Sequence, residues 1–80
     1  MKFEMFSRVA LKTDVPEHGL RCGDLATIVE FHPGISGQEP GYSLEVFNAV
    51  GDTVAVITLG ESEIESLHEN EILCARALVT

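Results

Sequence analysis

A chain of 80 residues with 45% apolar side chains and three prolines has room for one domain around one modest core, which argues against both a large internal catalytic cavity and intrinsic disorder. Thirteen acidic residues against five basic ones give a formal charge of −8, and such a negative potential repels nucleic-acid phosphate and anionic membrane surfaces. Met1 to Phe6 carries Glu4 inside its apolar stretch, unlike an export signal, and no run of the roughly 18 apolar residues needed to span a bilayer follows. The expected compartment is therefore the cytoplasm, where Cys22 and Cys74 stay reduced.

Val9-Ala10-Leu11-Lys12 places a first short strand at about 8–13, ended by Pro16. The glycines and proline between Pro16 and Gly23 then spell an irregular loop. A second strand spans 24–32. Its alternation puts Leu25, Val29 and Phe31 on one face with Thr27 between them. Ala26 and Ile28 make the other face partly apolar, which fits a strand bent sharply around a small barrel. Two prolines and three glycines between 33 and 41 mark a surface loop.

Tyr42-Ser43-Leu44-Glu45-Val46-Phe47 is the cleanest alternation in the chain, with Tyr42, Leu44 and Val46 inward. Asn48 to Asp52, with Gly51 near its end, reads as a hairpin connection to a fourth strand at Thr53–Leu59, rich in β-branched residues. After Gly60 the alternation stops. Ser62 and Glu65 have capping-box spacing, which predicts a single helical or 3₁₀ turn. The segment 70–78 reads either as a last strand or, in preference, as a short helix capped at Asn70 with Arg76 near its end. The expected fold is mainly β, a small SH3-like barrel of four to five strands in a single domain over 1–80.

Asp14-Val15-Pro16-Glu17-His18-Gly19-Leu20, Gly23 to Glu30, Leu44 to Phe47 and Thr53 to Leu59 form an ordered series of short motifs. Over about residues 8 to 78 that series resembles the bacterial family called domain of unknown function 4926, with Ala26 standing where the family usually has glycine. The resemblance implies a small, mainly β protein, and it brings no activity or site.

The candidate binding residues fall in two groups. Asp14, Glu17 and Asp24 flank Arg21 in the long first loop, where a binding role competes with that of a solvated loop whose Asp24 ties down the turn at Gly23. Glu61, Glu63 and Glu65 belong to an acidic face, read either as solvation or as a patch for a cationic partner. His18, His32, His68 and the two cysteines lack metal-ligand spacing, so no metal or cofactor is expected. No nucleophile sits beside a base at triad-like spacing, so the chain does not read as an enzyme. Lys2, Arg8, Lys12, Arg21 and Arg76 form no basic stripe.

The expected function is an acidic protein-binding module, antitoxin-like or immunity-like, that masks a basic protein. The alternative is an accessory domain that homodimerises or docks on an enzyme through an apolar face including Phe3, Phe6 and Phe47.

Overall fold

The computed structural model describes residues 1–78. Five strands, β1 (Arg8–Leu11), β2 (Leu25–His32), β3 (Gly41–Phe47), β4 (Thr53–Gly60) and β5 (Ile64–Ser66), form one antiparallel sheet in the order β4-β3-β2-β1-β5. The mainly β class and the strand number agree with the sequence pattern. The sheet is open, and β4 and β5 are its two edges.

Tyr42, Leu44 and Val46 point inward as their alternation predicts, meeting Ala55 and Ile57 from β4. Tyr42, Leu11, Ile28, Leu44 and Val9 are the largest fully buried side chains. Burying each large aliphatic side chain is worth about 1.5–3 kcal/mol, so these residues contribute substantially to the stability of the core.

On β2 the inward face differs from the expected one. Ala26 and Ile28 are buried, whereas Leu25 and Val29 are half-exposed. A register shift between Ile28 and Glu30 inserts Val29 as an extra residue, so the strand changes face and Phe31 lands opposite Tyr42. The mixed apolar pattern of the second strand is thus the signature of a β-bulge, which bends a strand and raises its twist. Alternation counted straight through the bulge assigns the wrong side.

The β3–β4 connection is the expected hairpin. Asn48 Oδ1 accepts from the amides of Val50 and Asp52 at 3.1 and 2.9 Å, while Gly51 takes a φ of +90° that other residues rarely adopt.

The 3₁₀ turn after β4 is present at Glu61–Glu63. Its cap lies two positions earlier than the predicted Ser62–Glu65 pair, because Glu63 Oε1 accepts from the Gly60 amide at 2.8 Å. Ile64–Ser66 then leaves the turn at once to pair with β1. The last strand is therefore here rather than in the tail.

Residues 70–78 form neither the helix nor the strand considered for them. His68 and Glu71 close one turn, with the Glu71 amide donating to the His68 carbonyl at 3.0 Å, and the chain beyond it has no regular structure. Its large apolar side chains stay exposed, Ile72 at 92%, and an unsupported helix of a few residues is unstable in water. Phe3, assigned by sequence to an outer apolar face, is instead in the core against Tyr42, with ring centroids 5.5 Å apart.

Candidate functional site

The loop between β1 and β2 is built on two buried anchors. Val15 and Leu20 bond to each other through their backbones, at 2.9 and 3.1 Å, and Pro16–His18 bulges outward between them as a 3₁₀ turn. Gly19, at φ +69°, closes that turn, because only a left-handed residue reverses the chain there. The two aspartates hold the second half of the loop. Asp14 Oδ1 accepts from the Cys22 amide at 2.9 Å, and Asp24 Oδ2 accepts from the Arg21 amide at 2.8 Å. The predicted loop residues Asp14, Arg21 and Asp24 are thus brought together, and Glu17 sits exposed on the outer turn.

Arg76 completes this site from the tail, a contact that sequence reading missed. Its Nε donates to Asp24 Oδ1 at 2.9 Å, its Nη2 donates to Asp24 Oδ2, and Nη2 also donates to the Gly19 carbonyl at 3.1 Å. A guanidinium fork laid on a carboxylate in this two-point fashion is the strongest and most directional of side-chain ion pairs. Burial by itself raises the Asp24 pKa, but the Arg76 fork and the Arg21 amide outweigh it and hold the carboxyl below its ordinary value. Among the described residues, Arg76 makes every hydrogen bond that joins residues 67–78 to the rest of the domain.

Beside this latch runs a groove of about 810 Å³, with Leu25, Phe47 and Val54 on one wall, Leu73 from the tail on the other, and Glu65 and Glu71 among its polar lining. Cys22 and Cys74 also line it and are exposed free thiols.

The second predicted group is split by the fold. Glu65 faces the groove, whereas Glu61 accepts from the Tyr42 hydroxyl at 2.9 Å and Glu63 caps the 3₁₀ turn at Gly60. Tyr42 Oη also receives the Lys2 and Phe3 amides at 3.2 and 3.4 Å, tying the N-terminal segment to β3. Burial, reinforced by the nearby Glu61 carboxylate, pushes the phenol upward from its ordinary value. Glu39 supports the same corner by accepting from the Ser62 amide and hydroxyl at 2.8 and 2.9 Å.

Among the described residues, the remaining contact between a basic and an acidic side chain is His32 with Glu30 at 3.9 Å, and no group of three or more His, Cys, Asp or Glu is placed to hold a metal. No helix among them is long and apolar enough to cross a membrane.

Against known proteins, one family match spans residues 5–66, from the segment before β1 to the end of β5. The chain belongs to the family described as Domain of unknown function (DUF4926). The match takes in all five strands and the Asp14–Asp24 loop but stops before the tail that carries Arg76. No curated protein and no solved structure matches the chain.

Proposed function

We propose that the domain is a binding module, not an enzyme, which acts in the cytoplasm by covering a basic and partly apolar surface on another protein. The observation that carries this reading is the groove: an apolar wall open to solvent whose charged lining, Asp24, Glu65 and Glu71 against Lys12 and Arg76, is net acidic, on a chain whose acids greatly outnumber its cations. Apolar floor and net acidic lining together suit a partner that offers apolar side chains among lysines or arginines. Long-range attraction of this kind speeds encounter and is weakened by salt.

The test is capture of the tagged chain's partners at low and high salt, repeated with Glu17→Gln, Glu65→Gln and Glu71→Gln combined, the exposed acid of the outer turn and two that line the groove. Glu61 and Glu63 are left intact because they hold Tyr42 and Gly60. A basic protein retained at low salt, released at high salt and lost with the triple variant is the expected outcome. Binding indifferent to both salt and substitution would remove the electrostatic basis of the proposal.

Self-association is a second reading with one observation in its favour. β4 is an edge strand without a charged residue, and Val56 on it is 60% exposed, the profile of an edge open to further pairing. Sedimentation over a concentration series distinguishes it: a dimer abolished by Val56→Lys supports this reading, and a monomer throughout ends it.

A further inference from the structure

We infer that Asp24 and the Gly19 carbonyl form an arginine-recognition site, which Arg76 fills in the free protein and which an arginine in an extended apolar segment of the partner takes over on binding. The inference rests on the reading of the domain as a binder of basic protein and names the chemistry of one contact. Three features support it.

The acceptors are held by contacts that do not involve the guanidinium. Asp24 is fixed by the Arg21 amide, and the Gly19 carbonyl by the Val15–Leu20 backbone pair that closes the turn. A site with its acceptors already in place loses little ordering entropy when it binds.

The guanidinium now in place shows what fits. Nε and Nη2 meet both carboxylate oxygens, and Nη2 reaches a carbonyl as well, a fork that a lysine ammonium cannot reproduce. Arg76 lies between Ala75 and Ala77 with Leu73 and Leu78 nearby in the chain, so the tail itself is an irregular apolar segment bearing one arginine.

The present occupant is replaceable. The tail has no regular structure, and Arg76 alone hydrogen-bonds it to the domain among the described residues. Removing that fork opens the side of the groove that Leu73 and Cys74 line, so an incoming arginine gains the apolar wall at Leu25 and Phe47 as well.

The test uses the full chain with Arg76→Ala and, as probe, a fluorescein-labelled peptide with the sequence of residues 72–78, blocked at both ends and carrying Cys74→Ser. A tethered side chain competes at an effective concentration on the order of millimolar, so for a probe binding at ~100 µM the Arg76→Ala protein binds about tenfold tighter than the native chain. Adding Asp24→Asn abolishes that binding, and a lysine in place of the probe's arginine weakens it. Thermal unfolding midpoints of the variants confirm that each is folded at the assay temperature. Equal binding of the arginine probe and its alanine counterpart to folded Arg76→Ala protein overturns the inference. A native-chain dimer lost with Arg76→Ala overturns it too, in favour of tail exchange between two copies.

The two levels of the reading fail separately. A salt-sensitive basic partner captured equally by native chain and Asp24→Asn leaves the binding module standing without this contact, whereas capture of no partner at either salt removes the module reading whatever the peptide does.

Discussion

Tyr42→Phe removes one oxygen and leaves a buried ring in place, so its cost measures the polar corner alone. The hydroxyl donates to Glu61 at 2.9 Å and receives the Lys2 and Phe3 amides at 3.2 and 3.4 Å. A hydrogen bond to a charged group contributes about 1.5–3 kcal/mol, and the lower end applies because water reaches the half-exposed Glu61 and replaces the lost donor. The two amide contacts are long, and each falls at about 0.5 kcal/mol, though the buried Phe3 amide is left without an acceptor. Relief from dehydrating the phenol offsets part of this, and the expected loss is about 2 kcal/mol. In a domain of this size that is a fall of roughly 10 °C in Tm.

Urea unfolding followed by far-ultraviolet circular dichroism reads the loss as a lower midpoint with unchanged slope. Glu61→Gln keeps an acceptor and costs less, and the double variant loses less than the two single losses combined because the pair shares one bond. A Tyr42→Phe loss below about 0.5 kcal/mol would refute the claim that this hydroxyl ties the N-terminal segment to the sheet.

The same corner predicts alkaline sensitivity. The folded pKa of Tyr42 is raised above its ordinary 10.0, so its contribution is complete below that value and declines as pH rises through the folded one; in Tyr42→Phe this part of the pH–stability curve is flat. Asp24 behaves oppositely: its folded pKa lies below the ordinary 3.8, so its contribution is complete above 3.8 and disappears as pH falls through the folded value, a component that Asp24→Asn lacks in acid titrations of stability. Leu44→Ala empties a fully buried position and costs about 3–5 kcal/mol, enough to leave much of so small a domain unfolded at 37 °C by circular dichroism. Gly51→Ala meets no atom within 4 Å but must hold φ at +90°, and chemical denaturation registers a backbone cost of about 1 kcal/mol.

The sequence by itself determined the local elements whose causes are local. Alternation placed Tyr42, Leu44 and Val46 inward, Asn48 to Asp52 made the hairpin, and Pro16 to Gly23 made the loop, because side-chain period and allowed φ act over a few residues. It also brought Asp14, Arg21 and Asp24 to one loop, since those positions are close in the chain. Where alternation crossed the bulge at Val29, the face reversed, because an extra residue becomes visible only against the partner strand β3.

Tertiary structure alone decided how distant residues meet. Tyr42 finds Glu61, Glu39 finds Ser62, and Arg76 finds Asp24 across a separation of 52 positions. No spacing rule announces such pairs, since they exist only after the sheet has ordered its strands. The tail shows the same division: its composition suits a helix capped at Asn70, yet a helix so short needs a packing surface, and the domain instead holds the tail by Arg76 on Asp24 and the Gly19 carbonyl.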